Sequence, residues 1–142
     1  GSVLTINPTA NLAAGKTYAI QIAATAIKDV ATNSFAGITD DTTWNFTTAV
    51  PDTTPPTPNP MTWATLPVAV SSASITMTAS TASDPSGVEY YFDCTSAGGH
   101  DSGWQISPTY ADTGLIASAS YSYQVKARDQ SSNANETGLS SG

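Results

Sequence analysis

A single cysteine, Cys94, and a single histidine, His100, occur in 142 residues. One cysteine forbids an intramolecular disulfide, so no covalent framework staples the fold. A structural zinc site wants four Cys or His ligands and a catalytic one about three, so nitrogen and sulfur alone cannot build either here. Basic residues are equally scarce. Four Lys and Arg face eleven Asp and Glu, a formal charge of −7. That argues against nucleic acid and against an anionic membrane surface, which both need a basic footprint. No apolar run approaches the roughly 20 residues that span a bilayer, and no secretory leader is recognisable, so membrane insertion is not expected. Also missing are a G-x-S-x-G elbow, a phosphate-cradling glycine loop and H-E-x-x-H. His100, Asp101 and Ser102 supply the letters of a hydrolase triad. Adjacent residues cannot converge from separate places, as nucleophile, base and orienting acid must. Catalysis is not expected, and no cofactor is required.

What replaces the missing charge is hydroxyl: 18 Ser and 22 Thr, a composition that suits β-structure. The clearest boundary is Val50 to Pro60, where Pro51, Pro55, Pro56, Pro58 and Pro60 crowd together. Each proline fixes φ and lacks an N–H, which favours an extended, semi-rigid spacer. The expected organisation is a module over 1–49, a linker over 50–60 and a second module over 61–142. Gly1-Ser2 has the composition of a cloning remnant.

On both sides of the boundary the apolar pattern has period two, with no sustained helical stripe, so the chain reads as all-β. Ala73–Ala79 places Ile75 and Met77 on one face. Asp84-Pro85-Ser86-Gly87 is a turn. It leads into Val88–Cys94, where Val88, Tyr90, Phe92 and Cys94 oppose Glu89, Tyr91 and Asp93. Cys94 therefore reads as an inward, inert thiol. Trp104–Ile106 is expected to begin another strand and Tyr110–Leu115 to turn. Tyr121–Arg128 alternates throughout, and a last strand is expected near Glu136–Ser140. These amount to a sandwich of about 80–90 residues. Before the boundary, Val3–Ile6, Tyr18–Ile22 and Thr43–Thr47 make about half a sandwich.

Two stretches echo each other. Leu12 and Leu115 each lie six residues before a tyrosine, Tyr18 and Tyr121, that opens an alternating strand. Each strand ends in an Asp with an Asn four residues on, Asp29 with Asn33 and Asp129 with Asn133. The segment DTGLIASASYSYQVKARDQSSNAN resembles the E–F corner and F–G hairpin of a fibronectin type III domain. That resemblance covers about Asp52 to Ser141 and implies a tyrosine corner. The copy departs from the family in lacking a strand-B tryptophan, where Met77 or Ala79 stands. LAAGKTYAIQI, IKDVATNSF and WNFTT, within residues 3–48, resemble the C-terminal half of a bacterial Ig-like domain. The resemblances imply an Ig-like/fibronectin type III-like antiparallel β-sandwich plus a partial Ig-like β module.

Two constellations could bind. Asp52 lies in the linker, Asp84 in an early turn and Asp129 and Asn133 in a later one; such turns of sandwich domains can gather at one pole, where carboxylates and carbonyls supply the oxygens calcium prefers. Asp29, Asn33, Asp40 and Asp41 are weaker candidates of the same kind. Against both, Asp and Asn commonly cap turns through their own backbone. Tyr91, Trp104, Trp63 and Tyr110 offer rings for stacking a sugar, with His100, Asp101 and Gln105 for its hydroxyls. Core packing competes for those rings, least for Tyr91.

The expected function is a non-catalytic spacer or adhesion module of a larger extracellular, secreted or cell-surface bacterial protein, stiffened by calcium. Its partners would be neighbouring domains of the parent chain, with self-association through the incomplete N-terminal half. Two alternatives stay open: an accessory carbohydrate-binding module of a polysaccharide-degrading enzyme, and a protein-binding module acting through an exposed sheet edge.

Overall fold

A computed structural model describes residues 3–142; Gly1 and Ser2, the remnant-like pair, lie outside the described residues. The chain divides into two compact units, residues 1–51 and 52–142. It is all-β, with antiparallel pairing throughout.

The first unit carries two short strands, β1 (Thr17–Ala19) and β2 (Asn45–Thr47). Thr17, Tyr18 and Ala19 pair with Thr47, Phe46 and Asn45. Tyr18 stacks on Phe46 with ring centroids 5.9 Å apart. The expected strand at Val3–Ile6 does not form, and the one at Tyr18–Ile22 shortens to β1 plus an isolated pairing of Ile22 with Ile38. The reason is the lack of a core. Among the described residues of this unit none is fully buried, and Trp44, Phe46 and Phe35 remain about two-fifths exposed. Two paired strands with one apolar face cannot bury enough surface to extend their ladder.

The second unit is a two-layer sandwich. One sheet holds β3 (Trp63–Ser71), β4 (Ser74–Ala79) and β6 (Thr109–Thr113) in the order β3-β4-β6. The other pairs β5 (Val88–Cys94) with β7 (Tyr123–Asp129). Period-two alternation decides what is inside. Met77 and Ala79 from β4 meet Tyr90 and Phe92 from β5 and Tyr123, Val125 and Ala127 from β7, all buried. Trp63 pairs with Ala79 across β3 and β4, and its ring centroid lies 6.0 Å from that of Phe92. The preceding strand thus supplies a large ring beside the small Ala79.

Three expectations for this unit need correction. Tyr110–Leu115 is not a turn: most of it is strand β6. The inward position there is Asp112, so the hydrophobic alternation that signals a strand is broken. Trp104–Ile106 is not a strand. Gln105 alone pairs with Tyr90, by two backbone hydrogen bonds of 2.7 and 2.9 Å. The last strand near Glu136–Ser140 is an irregular segment that borrows hydroxyls. Thr137 Oγ1 and Ser140 Oγ accept the backbone N–H groups of Ala127 and Val125, at 2.9 and 3.1 Å.

The proline-rich stretch does not stand apart as a spacer from 50 to 60. Its residues from Asp52 onward pack into the second unit. Pro56 and Met61 are fully buried, and Thr57 exchanges two backbone hydrogen bonds with Ser83. Proline is tolerated at such a sheet margin because the N–H it lacks has no ladder to complete.

Candidate functional site

Asp52, Asp84 and Asp129 converge. One carboxylate oxygen from each lies within 4.8 Å of the others. Three elements deliver them: the first residue of the second unit, the turn before β5, and the last residue of β7. Each carboxylate is held locally. Asp84 Oδ1 accepts the backbone N–H of Ser86 at 2.8 Å and the Ser86 hydroxyl at 2.5 Å. Asp52 Oδ1 accepts the N–H and hydroxyl of Thr54, at 3.0 and 2.8 Å. Asp129 is buried, and its Oδ1 accepts from Ser131 and from the backbone N–H of Asn135.

The electrostatics follow from these bonds. Hydrogen bonds from Thr54 hold the Asp52 carboxyl below the usual carboxylate range, while the negative charge of Asp129 pushes it back up. Burial acts to raise the Asp129 carboxyl, and hydrogen bonds from Asn135 and Ser131 outweigh it, so it too lies low. Asp52 and Asp129 therefore concentrate negative charge at neutral pH. The two basic side chains of the unit are engaged elsewhere: Lys126 with Glu136 at 2.6 Å and Arg128 with Glu89 at 2.8 Å.

Asn133 takes a different part from the expected one. Its side-chain amide donates to the backbone carbonyl of Asp52 at 2.5 Å, holding the main chain. Asn135, which sequence reasoning missed, does more. Its amide donates to Asp129 Oδ2 at 2.7 Å and to the same Asp52 carbonyl at 3.1 Å. The echo points to the wrong amide: Asn33 bonds Asp29 at the four-residue spacing, whereas Asp129 is bonded by Asn135, six residues on. Asp29 and Asp40 in the first unit act as turn caps. Asp29 accepts from Ala31 and Asn33, and Asp40 from Thr42 and Thr43. Asp41 Oδ1 accepts from the Gln21 amide at 2.8 Å.

The aromatic candidates separate. Trp63 and Tyr110 point inward: the ring centroid of Tyr110 lies 5.6 Å from that of Phe92, and Trp63 Nε1 donates to the carbonyl of Ser141. Tyr91 and Trp104 share the outer face of the β5–β7 sheet, centroids 5.3 Å apart. Tyr91 is half-buried between the fully buried Tyr90 and Phe92, as its register requires. The two rings do not form a bare platform. The Arg128 guanidinium lies 4.2 Å from the Trp104 centroid, and Lys126 Nζ sits 5.3 Å from it and 5.7 Å from that of Tyr91. Cation–π attraction of this kind holds both cations over the pair. Asp101 is also committed, accepting the Tyr91 hydroxyl at 2.8 Å and the Cys94 N–H at 2.9 Å. Gln105 donates its amide to the carbonyls of Ser107 and Thr109.

The loop Gly98–Gly103 turns its three triad-like residues to three different partners. His100 Nδ1 lies 2.8 Å from Asp112 Oδ1, Asp101 takes Tyr91, and the Ser102 hydroxyl accepts the Phe92 N–H. Asp112 was not singled out by sequence, yet it anchors the loop. Buried at 1% exposure, it accepts from His100 N, His100 Nδ1 and the Tyr123 hydroxyl, each at 2.8 Å. The loop approaches so closely that a Cβ on Gly99 would stand 2.3 Å from Cys94 Sγ. Cys94 is half-buried rather than fully inside, with its Sγ 3.5 Å from the Ser96 carbonyl.

Residues 1–48 match the family profile described as bacterial Ig-like domain. No curated protein and no solved structure matches the chain. No helix among the described residues is long and apolar enough to cross a membrane.

Proposed function

We propose that the chain is a non-catalytic stretch of a bacterial surface or secreted protein, an Ig-like module followed by a fibronectin type III-like one, with a calcium ion tying down the start of the second. The carrying observation is the convergence of Asp52, Asp84 and Asp129. Calcium takes six to eight hard oxygens at about 2.3–2.6 Å, so two ligands on opposite sides of the ion stand about 4.8 Å apart. The carboxylate spacing fits that limit, and carbonyls and water would supply the remaining ligands. A bound ion would neutralise crowded carboxylates and fix residue 52 against residues 84 and 129, so that the chain leaving toward Pro51 starts from a rigid point. The family match over residues 1–48 supports the modular, surface-exposed setting. The fibronectin-type reading rests on the three-plus-two strand arrangement and on Tyr121, whose hydroxyl accepts the Ile116 N–H.

The test is thermal unfolding in calcium, in magnesium and in chelator, with isothermal titration of calcium alone. Calcium at about 100 times its dissociation constant adds about 2.7 kcal/mol, so the melting temperature rises in calcium and hardly in magnesium. Asp84→Asn should abolish the rise while leaving the chelated protein as stable as before. Identical melts of the parent in calcium and in chelator would overturn the metal reading.

A further inference from the structure

The first and last segments of the second unit run side by side in the same direction. Asn133 and Asn135 donate their side-chain amides to the Asp52 carbonyl. Further along both segments, Gly138 N donates to Asn59 Oδ1 at 2.8 Å and Met61 N donates to the Gly138 carbonyl at 3.1 Å. Last, Trp63 Nε1 donates to the Ser141 carbonyl at 3.1 Å. Residue numbers rise together on the two sides, so the pairing is parallel. The segments pack so closely that a Cβ on Gly138 would lie 3.2 Å from Pro60 Cβ. Each is also tied to the core, since Met61 on one side and Thr137 and Ser140 on the other are buried.

Proline explains the make-up of this seam. Pro55, Pro56, Pro58 and Pro60 remove backbone N–H groups from the entering segment, so a continuous ladder cannot form there. Among the described residues the Met61 bond alone joins backbone to backbone across the seam. Side chains of Asn133, Asn135, Asn59 and Trp63 make the other bonds. They extend the contact over a length that the backbone by itself leaves unjoined.

We propose that this seam is a tension-bearing joint, which makes the second unit resist a pull along the chain. Parallel neighbours place Asp52 and Ser141 at opposite ends of the seam. Pulling the two ends of the unit apart therefore slides one segment along the other, across the direction of the bonds between them. Bonds loaded in this way share the force and yield together, whereas a hairpin pulled at its open end yields one bond at a time. This role rests on the chain being a stretch of a surface or secreted protein, where modules are held between neighbours. It does not need calcium, because no carboxylate takes part in the seam bonds.

The test is constant-force unfolding of single 142-residue molecules held at their two ends, in chelator throughout. The second unit, recognised by the greater length it releases, should yield in one step. Forced unfolding reads the unfolding rate, and bonds already broken at the barrier act fully on that rate. Trp63→Phe keeps a ring and removes the N–H given to Ser141. Asn59→Ala removes the acceptor of the Gly138 N–H. Each should quicken forced unfolding about 2- to 12-fold, the worth of one exchanged hydrogen bond. Tyr121→Phe deletes a bond outside the seam and should leave that rate unchanged. Unfolding in successive small steps overturns the proposal. So do seam variants that unfold no faster than the parent, and so does a Tyr121→Phe variant quickened as much as they are, since the rate then follows overall stability. Calcium does not enter these outcomes, so the joint and the metal site stand or fall separately.

Discussion

The phenolic oxygen of Tyr121 accepts the backbone N–H of Ile116, five residues earlier, at 2.9 Å. In the first unit Tyr18 accepts from Ala13 over the same five-residue span at 2.8 Å. In both cases a leucine precedes the donor, Leu115 or Leu12, and an alternating segment follows the tyrosine. The spacing exists because a phenol at the start of a strand reaches back just far enough to satisfy an amide in the preceding turn. The two units share this lock, although among the described residues only the second closes a core.

Tyr121→Phe removes the acceptor and leaves the ring. One exchanged hydrogen bond is worth about 0.5–1.5 kcal/mol, so the variant should unfold at lower urea by about that amount, with an unchanged slope. Tyr18→Phe should act on the first unit alone, where no buried core compensates. Urea unfolding followed by Trp fluorescence and far-UV circular dichroism measures both. An unaltered midpoint for Tyr121→Phe would show that the lock adds nothing.

Strands whose inward positions are apolar were legible: Ile75 and Met77, Tyr90 and Phe92, Tyr123 and Val125 all announce their faces. β6 was not, because Asp112 occupies an inward position and reads as a turn residue. The hydroxyl-rich segment Glu136–Ser140 runs alongside β7 without forming a regular strand, because hydroxyls of Thr137 and Ser140 replace part of the backbone ladder. The three aspartates of the acidic cluster could be named because Asp84 and Asp129 sit in recognisable turns and Asp52 in the proline-rich stretch. Asn135 and Asn133 exchanged roles, since the deciding distances run to Asp52, more than 80 positions away in sequence. The cations over Trp104 were invisible because period-two counting places Lys126 and Arg128 outward without saying which ring lies beneath them.

Asp112 is the largest single liability in the second unit. Three donors converge on a carboxylate that is 1% exposed. Asp112→Ala strands the Tyr123 hydroxyl inside the sandwich and releases the Gly98–Gly103 loop. Buried bonds to a charged acceptor are worth about 1.5–3 kcal/mol each but are not additive, so a loss of about 3–4 kcal/mol is expected. Asp112→Asn keeps one acceptor and should lose less. His100→Ala should lose least, because its side chain is 60% exposed. Equilibrium denaturation ranks the three. A loss for His100→Ala as large as for Asp112→Ala would mean that the imidazole, and not the Tyr123 contact, dominates.

Acid should weaken the second unit through the same groups that concentrate charge on it. Thr54 hydrogen bonds hold Asp52 low. At Asp112 and Asp129 burial pulls the other way, but hydrogen bonds from His100 and Tyr123, and from Asn135 and Ser131, keep both low. A carboxylate with a depressed folded pKa contributes stability that is complete above its unfolded value, near about 3.9. That contribution disappears as pH falls through the folded value. Stability should therefore be level from neutrality to about pH 5 and decline below about pH 4. Protons compete with calcium for Asp52 and Asp129, so any calcium-dependent increment should vanish over the same interval. Urea midpoints measured from neutral to strongly acid pH, with and without calcium, test both statements. A midpoint in chelator that stays level below pH 3 would show that these carboxylates are no better stabilised in the folded protein than in the unfolded chain.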